Sequence, residues 1–332
     1  MKSSTNKNVV GKADGLMGRR SFLGTGVLAG MGAAAGIGAS AGRAMADHHK
    51  TKAPAFKYCL NTSTIRRQQI PLEKEVEMIA KAGYNGIEPW INEIQRHKSG
   101  GGNLKDLGKK IADLGLKVES AIGFANWISD DKAEREKGLE TAKADMDILS
   151  QIGGIRIAAP PVGAHSGNAG KIDLAAAAER YAALLEVGRE MGVIPQLELW
   201  GFSKNISRLG ELAYVAIESG HPDACVLTDV YHIYKGGSDF NGLKLFSGKS
   251  LTVLHMNDYP AEPARDKIAD RDRVYPGDGV APISSILQTM VSNGFAGVLS
   301  LELFNETYWA QDAETVVKTG LEKMKASVAA AF

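Results

Sequence analysis

Apolar and polar positions along the chain repeat one unit: an amphipathic helical run, a glycine, then a short apolar strand rich in β-branched residues. The glycines are Gly83, Gly115, Gly153, Gly192, Gly220 and Gly294, each placed to end a helix in the left-handed C-cap conformation. The strand-like runs after them read YNGIE, LKVES, GIRIA, VIPQLE, DACVLTD and FAGVLSLE, and KYCLN at the start and LTVLH before the last bring the count to eight. The helical stretches carry apolar residues at three- and four-residue spacing, as in Leu174, Ala178, Tyr181, Leu185 and Gly188, or Ile283, Ile286, Leu287, Met290 and Val291. Eight strands alternating with helices predict an α/β fold of the (β/α)8 TIM barrel type, in one domain over 56–332. An open doubly wound sheet is the competitor; it loses because the loop after the first strand reads NTSTIRRQQ, without the G-x-G-x-x-G of a dinucleotide site.

The first 46 residues break the pattern. A basic start leads to Arg19, Arg20, Ser21, Phe22 and Leu23, then a Gly/Ala-rich apolar stretch, then Ala44, Met45 and Ala46, a small-x-small cleavage site. This resembles a Tat-type signal peptide, which implies export to the periplasm and no stable membrane insertion after cleavage. Residues 47–55 read as a linker.

Charge narrows the function. Residues 1–46 hold six Lys/Arg and one Asp of the 39 and 38 in the chain, which leaves 33 basic and 37 acidic side chains, a formal charge of −4. An acidic domain without clustered cations is unsuited to nucleic acid. The two cysteines, Cys59 and Cys225, fall within strands one and six, which are not neighbours in a closed ring of eight. They read as buried small apolar side chains rather than a disulfide.

The chemistry sits at strand ends. Ile194 to Glu198, Cys225 to Asp229, Leu251 to His255 and Val298 to Glu302 each finish on a metal-binding type of residue. In a barrel these ends share one rim. Two glutamates, an aspartate and an imidazole there make an oxygen-rich site suited to one divalent ion, Mn²⁺ foremost, with Mg²⁺, Co²⁺ or Zn²⁺ as alternatives. A single carboxylate after a strand is unremarkable; four successive strands ending so are a site.

The stretches LELWG (197–201), TDVYH (228–232), HMND (255–258), RVYPGDG (273–279) and SLELFN (300–305) resemble the xylose isomerase-like barrel superfamily, the sugar phosphate isomerase/epimerase group. The resemblance runs from Tyr58 to the C-terminal helix. It implies that Glu198, Asp229, His255 and Glu302 hold the ion, that Glu198 and Glu302 transfer protons, and that His232 and Arg273 bind substrate oxygens. The implied reaction removes a proton beside a carbonyl to give an enediolate in a sugar, keto-sugar or cyclitol-like substrate. Reprotonation gives an isomer or epimer, and loss of a β-hydroxyl gives a dehydrated product. The sequence departs from the ketose 3-epimerase pattern six residues after Glu198, where Lys204 replaces a glutamate, and this favours a lyase acting on a keto-sugar, inosose or dehydroshikimate-like substrate as the alternative. Glu88, at the end of the second strand, and Trp127, after the third, are further substrate-binding candidates with Lys204. Relatives often pair through barrel faces, which leaves a homo-oligomer open.

Overall fold

Alternating residues on each strand decide what faces the barrel axis and what faces the surrounding helices. The computed structural model describes residues 54–167 and 169–332. The expected leader over 1–46 and residues 47–53 of the linker lie outside them. Eight strands form: β1 (Lys57–Asn61), β2 (Gly86–Glu88), β3 (Lys117–Val118), β4 (Arg156–Ala159), β5 (Ile194–Glu198), β6 (Val226–Asp229), β7 (Leu251–Met256) and β8 (Val298–Leu301). Every ladder is parallel, in the order β3-β2-β1-β8-β7-β6-β5-β4. Between β3 and β4 the circle is completed by one residue, Ile122, which makes parallel bridges to Trp90 on one side and Ala158 on the other. The chain is thus a (β/α)8 TIM barrel in a single domain.

The predicted strands occur at the expected places, shortened at their ends: Cys225 precedes β6 and Glu302 follows β8. All six helix-ending glycines have positive φ, between 62° and 93°, because the chain must leave each helix through a left-handed residue before turning into the next strand. Leu254, Leu299 and Leu301 point outward into a large core shared with the helices, whereas Leu227, Val253 and Val298 fill the barrel interior with Cys59, Ile122 and Ala158. Cys59 and Cys225 are both free and buried. No helix among the described residues is long and apolar enough to cross a membrane.

Candidate active site

The same alternation lifts functional side chains into the mouth. On β8 the inward residue after Val298 is Ser300 and the next is Glu302; on β7 His255 follows Val253, on β6 Asp229 follows Leu227, and on β5 Glu198 follows Gln196. Strand register puts Asp229 beside His255 and His255 beside Ser300. Three of the four expected ligands, Asp229, His255 and Glu302, therefore form one compact group, with Glu198 at its edge. His255 Nδ1 lies 3.1 Å from Glu302 Oε2, 3.8 Å from Asp229 Oδ2 and 3.9 Å from Glu198 Oε1. Donor atoms of Asp229, His255 and Glu302 all lie within 4.8 Å of one another.

Each sequence motif has a local physical reason. In D-x-x-H, Asp229 caps the helix Val230–Gly236 by accepting the backbone N–H of His232 at 2.9 Å, which fixes His232 one turn above the strand end. Gly201 and Gly236 let the loop after β5 cross that helix backbone to backbone: a Cβ on Gly201 would lie 2.3 Å from the carbonyl oxygen of His232. In H-x-x-D, the Asp258 carboxylate accepts backbone N–H groups of Tyr259, Gly277, Gly279 and Ala281 at 2.8–3.1 Å, so the P-G-x-G turn is folded around it. Asp258 also bridges to Val274, anchoring the residue next to Arg273.

Arg273 is buried in the centre of the group. Its Nη1 donates to Asp229 (2.9 Å) and Glu302 (2.8 Å), and its Nη2 donates to Asp270 (2.5 Å) and lies 3.1 Å from His232 Nε2. Burial opposes its charge, but Asp229, Asp270 and Glu302 outweigh that and hold its pKa above the ordinary arginine value. Burial, and then the adjacent guanidinium, push His232 down to about 4, so it is a neutral imidazole at pH 7. His255 behaves oppositely: burial alone would lower it, yet Glu302 and Glu88 hold it well above the usual histidine range. For Glu198, burial pushes the carboxyl up to about 8, helped by Glu302 and Asp229.

These residues fit a divalent cation. Four buried carboxylates (Glu88, Glu198, Asp229, Glu302) face one guanidinium and one imidazole, an excess of negative charge that Glu198 relieves by keeping a proton. Glu198 Oε2 and both ring nitrogens of His255 are buried without a hydrogen-bond partner among the described residues; the short carboxylate contacts of the ring are electrostatic and miss hydrogen-bond geometry. Unsatisfied buried polar atoms of this kind are costly, and a doubly charged ion would take the lone pairs of His255 Nδ1 and the carboxylates while displacing protons, leaving Nε2 to Glu88.

A cavity of about 180 Å³ opens above this group, with Glu198, His232, Asp270, Arg273 and Glu302 on its polar side. Its other side is an aromatic collar. Phe304, Trp90, Phe124, Trp200 and Phe202 follow one another at centroid distances of 6.0, 5.0, 6.2 and 5.2 Å. Phe124 and Phe202 remain 43% and 45% exposed, so apolar ring faces stand open at the entrance.

Three expected substrate contacts lie elsewhere, which corrects that reading. Glu88 sits beneath the cavity and accepts from Asn61 (3.0 Å) and Ser300 (2.7 Å), with His255 Nε2 at 3.0 Å; it is a support for the imidazole. Trp127 is buried between barrel and helix, its Nε1 donating to the Pro160 carbonyl at 2.7 Å. Lys204 is exposed and its ammonium closes a loop by donating to the carbonyls of Gly167 and Ala169. Sequence reasoning missed Phe124, Trp200, Phe202, Phe304 and Asp270. Trp200 and Phe304 each follow a ligand by two residues, in LELW and LELF, and that shared spacing is a signal for them; the loop residues Phe124, Phe202 and Asp270 leave none.

The chain belongs to the xylose isomerase-like TIM barrel family, whose pattern matches residues 76–327. Inosose isomerase of Bacillus velezensis is 26% identical over 280 residues, spanning 83% of this chain and 98% of that protein. The 3-dehydroshikimate dehydratase of Pseudomonas aeruginosa is 25% identical over 263 residues, covering 76% of this chain and 39% of the relative. Among solved structures, the IOLI protein with a binding zinc atom superposes with a TM-score of 0.76 at 21% identity, over 83% of this chain and 99% of that one.

Proposed function

We propose, from the membership of the chain in this family and from its cavity, that the protein is an isomerase or epimerase of a cyclic keto-sugar or keto-cyclitol, working with one divalent metal ion. The observation that carries the reading is the convergence of Glu198, Asp229, Glu302 and His255 Nδ1 beneath an aromatic collar. The relatives named inosose isomerase and 3-dehydroshikimate dehydratase support an enzyme of the isomerase or lyase kind.

Glu198, Asp229, His255 and Glu302 would hold the ion. When bound, it would supply Lewis-acid stabilisation of negative charge on a substrate oxygen as the neighbouring C–H proton leaves. Glu302, just past β8, and Glu198, on β5, come from strands on either side of β7 and both line the cavity, and one carboxylate can accept the proton that the other returns. Burial and electrostatics separate them: His255 and Arg273 pull Glu302 below the usual carboxylate range despite its burial, while Glu198 is pushed up. Arg273 and neutral His232 offer donors to substrate oxygens, and the collar would stack on C–H faces of a ring.

The test is to incubate metal-loaded protein with inososes and cyclic keto-sugars and follow products by mass spectrometry and chromatography. A product of unchanged mass and altered retention supports the isomerase. Loss of water would instead favour the dehydratase, the alternative raised by the absence of a glutamate six residues after Glu198. No turnover of any keto substrate would end both. Export through Arg19 and Arg20 is part of the proposal; a double Arg→Lys variant that still reached the periplasm would refute it.

A further inference from the structure

Trp90 has a second neighbourhood. Beyond the collar lies a separate cleft of about 520 Å³, lined by Arg66 and Arg67, Arg96, and the acids Glu75 and Glu93. Arg66 and Arg67 belong to the 3-10 turn Thr62–Gln68 that follows β1, and Arg96 to the helix Ile91–Ser99. The Arg66 guanidinium carbon stacks 4.6 Å from the Trp90 ring centroid, and that of Arg67 lies 5.4 Å from the Trp309 centroid.

Among the described residues neither Arg66 nor Arg67 has a carboxylate within 4.0 Å, and Arg96 has only Glu93 at 3.8 Å. A guanidinium stacked on an aromatic face keeps its in-plane N–H groups free for an oxyanion. Mutual repulsion is felt: burial and the charges of Arg67 and Arg96 lower the pKa of Arg66. The acids offset the three arginine charges only in part, through Glu93. Glu93 is occupied, accepting from Thr62 Oγ1 (2.5 Å) and the Trp90 backbone (3.1 Å). Glu75 is only 2% exposed, its Oε2 has no partner, and burial beside Glu93 pushes it up to about 9, so at neutral pH it carries a proton and can donate. Three guanidinium groups from two elements and one buried carboxylic acid thus face one space.

We infer that this cleft is an oxyanion site, taking a phosphoryl or sulfuryl group whose three terminal oxygens match three guanidinium donors better than the two coplanar oxygens of a carboxylate. The site is distinct from the reaction centre but linked to it: Trp90 Nε1 donates to Asn61 Oδ1 (3.0 Å), and Asn61 Nδ2 donates to Glu302 Oε1 (3.1 Å).

Isothermal titration of the metal-loaded protein with sodium sulfate, at ionic strength held constant with chloride, tests this. One saturable site is expected, weakened about tenfold or more in Arg66→Ala/Arg67→Ala, as the loss of charge-assisted hydrogen bonds implies. The exposed Arg265→Ala control should bind as wild type. Glu302→Gln should also retain sulfate binding, which separates this inference from the proposed catalysis. Absence of saturable heat, equal binding by the double variant with retained circular dichroism, or loss of binding in Glu302→Gln would overturn the inference. Malonate binding tighter than sulfate would overturn the ligand class.

Discussion

The two halves of the barrel rim are built for different work. Strands β5 to β8 run four to six residues and carry Glu198, Asp229 and His255 at or next to their C-terminal ends and, one residue past β8, Glu302, with one register shift between β6 and β7 at Val226/Leu227. On the other side β2 has three residues and β3 two, and the circle closes through Ile122 alone. This weaker half contributes no expected ligand. It supplies Asn61 and Glu88, which brace Glu302 and His255, and Trp90 and Phe124, which wall the cavity. One side of the rim thus carries the groups that converge, and the side closed by a single bridging residue carries groups that support or enclose them.

That division can be broken most severely at Glu302. Glu302→Gln should lower turnover of a keto substrate by about 10²- to 10⁴-fold, the range of a lost proton-transfer group, with circular dichroism unchanged; near-wild-type rates would remove this residue from the chemistry. Next comes Arg273→Ala, which leaves Asp229, Glu302 and Asp270 without their shared cation. In the metal-free protein it should cost about 3–5 kcal/mol in chemical denaturation, and a loss below ~1 kcal/mol would show that the carboxylates simply take up protons.

Glu88→Gln probes the bracing half. It should weaken divalent-metal affinity by about 10- to 100-fold, as for other residues that orient a ligand from behind; unaltered affinity would make the second half mere scaffold. Because Glu198 keeps a proton up to about pH 8 and His255 is protonated beyond its usual range, metal binding must displace protons. Affinity should therefore rise as pH goes from 6 to 8, with proton release visible in calorimetry across buffers of different ionisation enthalpy. The smallest effect belongs to Trp127→Phe, which removes one hydrogen bond to Pro160 and should cost about 1 kcal/mol of stability while leaving turnover intact. A large loss of turnover would restore Trp127 to the site.

Much of this was legible in residue order because it is periodic. The recurring glycines announced helix ends, and all six adopt the left-handed conformation. The strand-ending acids and imidazole announced the floor of the site, since period-two alternation sends every second side chain inward. Support and enclosure were less legible. Glu88 looked like Glu198, a glutamate ending an apolar run, but its place below the imidazole depends on the stagger between β1, β2 and β8. Trp127 and Trp200 are both tryptophans in the connections that follow strands; one packs outward under Pro160 and the other lines the mouth.

The sequence by itself therefore determined the barrel and the strand ends at which Glu198, Asp229, His255 and Glu302 stand, because both follow from periodicities of a single chain that hold whatever the neighbours are. Only the tertiary structure decided that Arg273 threads between Asp229 and Glu302, that five aromatic rings form one collar, and that three arginines share a cleft behind Trp90. These depend on distances between loops whose paths are set by backbone turns and packing, and no repeating pattern of residues encodes such distances.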